Sequence, residues 1–185
     1  MQIEIFDETI EKKNKLELAT FTNCQFIDCD FTDFSFNNFQ FVDCEFISCN
    51  LSNAKLSNTS LKSVSFDSCK LIGIQFQNSN QFLLKLNFKS SNLNLSSFYS
   101  LNLSKTYFID CEIQEVDFTE TNLTESLFDS CNLRNSIFDR SNLFKSDLRT
   151  AMDFTINPTT NNIKKARFTR ENISGLVSSF GIVIS

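Results

Sequence analysis

The stretch FTNCQFIDCDFTDFSFNNFQFVDCEFISCN, residues 21–50, places Phe at 21, 26, 31, 36, 41 and 46, one every five residues. A period of five fits neither the 3.6 of a helix nor the 2.0 of a strand, so it marks a repeat architecture. The beat runs on through Leu51, Leu56, Leu61, Phe66, Leu71 and Phe76. It restarts two residues out of phase at Leu83, then continues through Phe88, Leu93, Phe98, Leu103, Phe108, Ile113, Phe118, Leu123, Phe128, Leu133, Phe138, Leu143 and Leu148. Fourteen of the 22 Phe lie on this beat, which accounts for a composition otherwise hard to place.

The residue two before each Phe or Leu is also special. All seven cysteines (24, 29, 44, 49, 69, 111 and 131) stand there, and elsewhere it is mostly small and always uncharged, as at Ala54, Thr59, Val64, Ser91 and Thr121. Two positions apart on an extended segment is the same side of the backbone. Each five-residue unit therefore points one large and one small side chain inward and three outward. Similarity strengthens at twenty residues: Cys24 recurs at Cys44, Cys29 at Cys49 and Cys69, Cys111 at Cys131. Four short sides per coil follow, each strand stacked on its parallel copy so that backbone groups pair between coils. At a spacing of ~4.8 Å, about six coils make a rod roughly 30 Å long.

The tandem A/C-x-[F/L]-x-x pattern, held over about residues 19–152, resembles the pentapeptide-repeat family. The resemblance implies an all-β solenoid, a right-handed quadrilateral β-helix. The expected organisation is an N-terminal cap at 1–18, a first stack at 19–80, a second at 81–152 after the phase slip, and a C-terminal cap and helix at 153–185. Ile3, Ile5, Ile10, Leu16 and Leu18 supply the apolar side of the first cap. Gly73, shortly before the slip, is a candidate kink, with a bulge expected around Ser79, Asn80, Gln81 and Phe82.

At the other end Pro158 interrupts the chain, Thr169 is a candidate N-cap, and Glu171 falls in the first turn of a short α-helix. Ile173, Leu176, Val177 and Phe180 form an i, i+3, i+4, i+7 stripe closed by Gly181, while Gly175 weakens the helix. The stripe either lids the last coil or pairs two copies. The residues 180–184 resemble the ending of quinolone-resistance (Qnr and mycobacterial MfpA) members, in which such a helix dimerises. That resemblance implies a homodimer through Ile173, Leu176, Val177 and Phe180.

Composition excludes several functions. With no His, the commonest general base and metal ligand is missing, and no C-x-x-C or glycine-rich phosphate loop occurs. Cysteines on the inward phase are small buried hydrophobes, not zinc ligands or disulfides. The expectation is a non-enzyme without cofactor or metal. No run of eighteen apolar residues exists, and the acidic start lacks a signal peptide's pattern, so a cytoplasmic, non-membrane protein is expected. The formal charge of −5 argues against direct nucleic-acid binding.

Function is then left to the outward positions. Residues 106–130 carry seven acids and no base: Asp110, Glu112, Glu115, Asp117, Glu120, Glu125 and Asp129. With Tyr99 and Tyr107, the first five define a candidate partner surface, and Ile109 and Leu127 are outward apolar neighbours. The twenty-residue register sets Glu125 between Lys105 and Lys145, Asp129 beneath Arg149 and Glu120 beneath Arg140 as cross-strand pairs. The resemblance to Qnr-type members implies a protein partner, a type II topoisomerase (DNA gyrase or topoisomerase IV) met by mimicry of duplex DNA. The other reading is a scaffold or regulatory module with an unrelated partner.

Overall fold

The computed structural model describes residues 3–182. The chain winds into a parallel β-solenoid with four faces. Face one stacks β1 (Ile3–Phe6), β3 (Ala19–Thr22), β5 (Gln40–Val42) and β7 (Ser60–Lys62). Face two stacks β2 (Thr9–Glu11), β4 (Gln25–Ile27), β6 (Glu45–Ile47), β8 (Val64–Asp67), β9 (Leu86–Lys89), β10 (Tyr107–Ile109) and β11 (Leu127–Asp129) in one seven-stranded sheet. Faces three and four are held by single parallel bridges: Asp30, Asn50, Lys70, Asn92, Glu112 and Asn132 on face three, and Gln75, Ser97, Asp117 and Ile137 on face four. Most pairings join residues twenty apart, such as Phe26 to Phe46 and Phe108 to Phe128, whereas β1 and β2 pair with β3 and β4 at a spacing of 16, as Ile3 does with Ala19. No helix among the described residues is long and apolar enough to cross a membrane.

Away from the phase slip, the inward pair of each unit is where the sequence places it. Phe21, Phe26, Phe31, Phe36, Phe41 and Phe46 are buried with Cys24, Cys29, Cys44 and Cys49. On face two the rings stack coil on coil, Phe26 on Phe46 at 4.6 Å and Phe108 on Phe128 at 4.8 Å between centroids. Face four builds a second column, Phe76–Phe98–Phe118–Phe138, and the two columns meet edge-to-face across the interior, as Phe88 does with Phe98 at 5.8 Å.

The small inward residue has a second duty. Its thiol or hydroxyl donates to a carbonyl in the preceding coil: Cys44 to Phe21 (3.4 Å), Cys49 to Phe26 (3.2 Å), Thr59 to Phe36 (2.8 Å), Cys69 to Phe46 (3.3 Å), Thr121 to Phe98 (2.8 Å), Cys131 to Phe108 (3.3 Å) and Ser141 to Phe118 (2.8 Å). Cys, Ser and Thr interchange at this position because each is small and carries one donor. All seven cysteines are free and buried. Burial pushes the Cys44 thiol up to about 11, and the hydrogen bond with Cys69 together with burial raises Cys49.

Most corners turn through a left-handed residue two places after the large one; the corner after Phe76 is a 3-10 turn, Phe76–Asn78, instead. Asn23, Asp28, Asp33, Asn38, Asp43 and Asn53 hold φ between 52° and 66°. Where the corner is a tight turn, the N–H of the next small residue closes on the large residue's carbonyl, as Ala54 does on Leu51 at 3.0 Å. Positive φ at the third residue of such a turn is a type II geometry that favours Gly and Asn. Gly73 (φ 73°) occupies one of these ordinary corners, so it is a repeat position and not a kink. In the second half Leu95, Lys105, Glu115, Glu120, Glu125, Arg140 and Lys145 take the same conformation at greater steric cost.

The phase slip inserts two residues, since Val64 and Phe66 pair with Leu86 and Phe88 at a spacing of 22. The extra length bulges on face one at residues 81–85, where the Leu84 N–H reaches the Gln81 carbonyl at 3.3 Å. Leu83, the expected inward position, is instead 64% exposed, and Leu84 packs against the core in its place. Both leucines satisfy an apolar beat, and only the corner dihedral at Leu83 (φ 58°) turns one of them out.

At the N-terminal end β1 and β2 pair in register with β3 and β4, so Ile5, Ile10 and Leu16 cover the core while Ile3 and Leu18 stay exposed. The expected C-terminal α-helix is two 3-10 turns, Ile173–Leu176 and Ser178–Phe180. Thr169 does not cap them; its N–H donates to the Asn172 side chain at 2.9 Å. Close packing accounts for the tighter winding. A Cβ on Gly175 would lie 2.4 Å from the Phe154 carbonyl oxygen, and the Asn172 amide is tied to the carbonyls of Leu148 (2.8 Å) and Ala151 (3.1 Å). Gly181 closes the second turn with φ 64°, as expected.

Two measurements follow from this packing. Leu95→Asn relieves a left-handed leucine and raises unfolding stability by about 0.5–1 kcal/mol, while Asn53→Leu lowers it by about 1 kcal/mol, both read by chemical denaturation. A thiol reagent at pH 8 leaves the native protein unmodified and labels all seven cysteines in denaturant.

Candidate protein-binding surface

Outward residues fall into vertical ladders, so each has a fixed neighbour one coil away. Glu112 and Glu115 stand on face three, Asp117, Glu120 and Tyr99 on face four, and Tyr107 and Asp110 on face two. The structure thus brings Glu112, Glu115, Asp117, Glu120 and Tyr99 onto two adjacent faces. Asp110 borders them at the corner between faces two and three. Tyr107 lies on the face opposite Tyr99, so the two tyrosines do not share a patch. Tyr107 pairs in register with Leu127 and is 49% exposed.

The expected charge ladders are present at two of three places. Glu120 meets Arg140 at 3.1 Å, and Glu125 lies between Lys145 (2.9 Å) and Lys105 (3.9 Å). Lys145 holds the Glu125 carboxyl below its ordinary value, and the Tyr99 hydroxyl, donating to Glu120 at 3.1 Å, is raised. Arg149 does not reach down to Asp129. It turns along its own strand to Asp147 (2.8 Å), joined there by Arg167 (3.1 Å), and Asp129 accepts from the Thr150 hydroxyl at 2.7 Å instead.

Among the described residues no ion pair involves Asp110, Glu112, Glu115 or Asp117. Glu112 accepts from the Gln114 and Asn132 amides at 2.8 and 3.1 Å, Asp110 from the Ser90 hydroxyl at 3.2 Å, and Asp117 from the Thr119 N–H at 2.9 Å. These four carboxylates leave an uncompensated anionic band around one coil.

Charge is also polarised along the rod. Residues 1–133 hold nine Lys and Arg against eighteen Asp and Glu, whereas residues 134–185 hold eight against four. Stacking places Lys164 and Lys165 one coil beyond Lys145 on face one, and Arg167 one coil beyond Asp147 and Arg149 on face two.

The apolar C-terminal stripe is divided. Leu176 is buried and Val177 packs on the core, so these two lid the last coil. Ile173 and Phe180 are 50% and 52% exposed. The end of the apolar tail, Val183 and Ile184, lies outside the described residues. Beside this lid an open shelf of about 730 Å³ is lined by Arg134, Arg149, Asp153 and Glu171 among others. Its Arg149 is already engaged by Asp147. Among the described residues no group of three or more His, Cys, Asp or Glu is placed to hold a metal ion.

Comparison with known proteins agrees with this architecture. The family described as "Pentapeptide repeat region" matches residues 19–94, and that described as "Pentapeptide repeats (8 copies)" matches residues 111–149. Among solved structures, QnrB1, a plasmid-mediated fluoroquinolone resistance protein, is similar at 18% identity and a TM-score of 0.51, covering 100% of this chain and 98% of that one. HetL, a pentapeptide repeat protein involved in heterocyst differentiation regulation from the cyanobacterium Nostoc sp. strain PCC 7120, is similar at 13% identity and a TM-score of 0.52, covering 90% and 85%. At these identities the likeness is one of fold. None of the curated proteins compared matches the sequence.

Asp147 provides a pH-dependent check on the charge ladders. Arg149 and then Arg167 hold its carboxyl below the ordinary value, so the pair stabilises the fold above the usual carboxylate range, and that contribution is lost as pH falls through the depressed value. Asp147→Asn therefore costs about 1 kcal/mol at pH 7 and nothing at strongly acidic pH, measured by denaturation at both.

Proposed function

The chain belongs to the pentapeptide-repeat family, and for this member we propose a non-catalytic, protein-binding rod whose partner docks on faces three and four around the coil of residues 106–120. The uncompensated carboxylates of Asp110, Glu112, Glu115 and Asp117 carry this reading, since they cluster on one coil while Glu120, Glu125, Asp139 and Asp147 beside and above them are paired with bases. A partner with a basic, concave surface fits them, and Tyr99 and Glu120 at the edge add an aromatic contact.

The named partner of this reading is a type II topoisomerase, whose DNA-binding surface is basic and shaped for a rod. The similarity in fold to a fluoroquinolone resistance protein supports that choice. The exposed Ile173 and Phe180 leave an apolar pair for a second copy at the C-terminal end. A scaffold with an unrelated partner is the second reading. The basic excess in residues 134–185 favours it, because a mimic of duplex DNA would be anionic throughout.

Gyrase supercoiling in the presence of a fluoroquinolone separates the two. The topoisomerase reading expects restored supercoiling with the parent protein and at least a tenfold weaker effect for the variant Glu112→Lys, Glu115→Lys, Asp117→Lys. No effect of the parent protein at molar excess sinks it and leaves the scaffold reading.

A further inference from the structure

The two residues inserted at the phase slip do more than lengthen one coil. Gln81 stands one coil after the inward Leu61, yet it is exposed, and Leu84 packs against the core instead. The chain is thereby carried outward on face one, and the Phe82 N–H folds back onto the Asn80 side-chain oxygen at 2.9 Å. That turn leaves Phe82 67% exposed at the rim of a depression of about 140 Å³. Asn38, Gln40, Asn58, Ser60, Lys62 and Asn80 line the rest of it, at the corner between faces four and one.

Two side chains in this depression have unfilled bonding capacity. Ser60 is an outward residue, placed between Gln40 and Asn80 in its ladder, but it is only 6% exposed and is the one buried residue of the lining. Its hydroxyl oxygen has no hydrogen-bond partner. A buried hydroxyl left unpaired is a cost that folded proteins seldom carry without a use for it. Lys62, half-buried, is engaged only by the Phe82 ring, its ammonium 5.5 Å from the centroid. Among the described residues Lys62 makes no ion pair, and neither Asp nor Glu lines the depression. The depression thus offers one full positive charge, neutral amide and hydroxyl groups, and an apolar ring at its lip.

We propose that this depression binds a small organic monocarboxylate, its head taken by the Lys62 ammonium and the Ser60 hydroxyl and its short chain laid against Phe82. An ammonium and a hydroxyl both donate to a carboxylate, and the charged donor makes the stronger bond. The serine hydroxyl is a free rotor, so turning toward a ligand oxygen gives its proton the acceptor it lacks. Charge selects the class of ligand. One lysine balances one negative charge, whereas a phosphate dianion stays half-neutralised and a cation is repelled. Size narrows it further, since the space falls below the roughly 300–1,000 Å³ of pockets for drug-sized ligands and admits a short acid but not a nucleotide. The site lies on the coils before the slip, apart from the acidic coil of residues 106–120, so it is independent of the proposed partner surface.

NMR titration of the isotope-labelled full chain with sodium butyrate, at constant ionic strength, tests the site. The amides of Ser60, Lys62 and Phe82 shift and saturate with one equivalent bound and a Kd of about 1 mM. Lys62→Gln weakens binding about tenfold and Ser60→Ala about fivefold, with the rest of each spectrum reporting an intact rod. Phe82→Ala weakens butyrate but not acetate, which has no chain to lay on the ring. Denaturation of the ligand-free protein supplies a second readout: Ser60→Ala keeps or raises the midpoint, because it removes a hydroxyl that the fold leaves unpaired.

A midpoint that falls in Ser60→Ala overturns the proposal, since the hydroxyl then has a partner within the fold, an ordered water included. So does the absence of saturable shifts up to about 20 mM butyrate. Undiminished binding in Lys62→Gln, or tighter binding of inorganic phosphate or methylammonium than of butyrate, overturns it equally. No topoisomerase enters any of these readouts, so failure here and failure of the partner reading are separate results.

Discussion

Coil-on-coil stacking at one strand spacing is the constraint from which the rest of this molecule follows. Parallel backbone pairing sets neighbouring strands ~4.8 Å apart, which is also a comfortable separation for offset aromatic rings. The Phe columns on faces two and four therefore stack at 4.6–5.5 Å without any adjustment of the backbone. With two such columns meeting edge-to-face, the interior is full. Only a small residue remains possible beside each ring, and the carbonyl of the coil before asks that residue for a donor. Cysteine is abundant here for its volume and its S–H, and its redox chemistry is suppressed by the same burial.

Much of this was legible in the sequence because the interior has a strict two-residue vocabulary. The inward pair, the twenty-residue coil and the parallel stacking all came from Phe, Leu and Cys positions. The corners were legible in half the chain. Asn23, Asp28, Asp33 and Asn38 advertise a left-handed residue, whereas Leu95, Glu115 and Lys145 take the same dihedral with no compositional sign. Tertiary stacking imposes it on them. The slip defeated the pattern for a related reason: Leu83 and Leu84 are chemically alike, and which one faces inward depends on where the two inserted residues are absorbed. The C-terminal stripe had helical spacing, but spacing does not register that Gly175 must pass against Phe154 or that Asn172 must reach the last coil's carbonyls.

The outer surface was less legible, and the misses are instructive. Register alone gave the Glu120–Arg140 and Lys105–Glu125–Lys145 contacts, because these side chains stand at corners directly above one another, although Arg140 also meets the adjacent Asp139. It failed for Asp129 and Arg149, which lie on a strand where Asp147 is nearer along the chain. A long guanidinium has several carboxylates within reach, and a ladder position does not decide among them. It also gave no hint that Tyr99 and Tyr107, eight residues apart, would face opposite ways: a coil of four sides turns a short sequence separation into half a revolution.

A solenoid separates what holds it together from what it shows to others. Outward residues on each face contribute little to the core, so faces can specialise independently while the interior stays fixed. Here the coil of residues 106–120 concentrates unpaired acid on faces three and four, while face two alternates acid and base, Asp67 beside Lys89 and Asp147 beside Arg149 and Arg167. The net charge of −5 averages over both features and describes neither. What a partner meets depends on the face it approaches and the coil it reaches, and the fixed rung spacing is what makes such a pattern a recognisable surface instead of a scatter of charges.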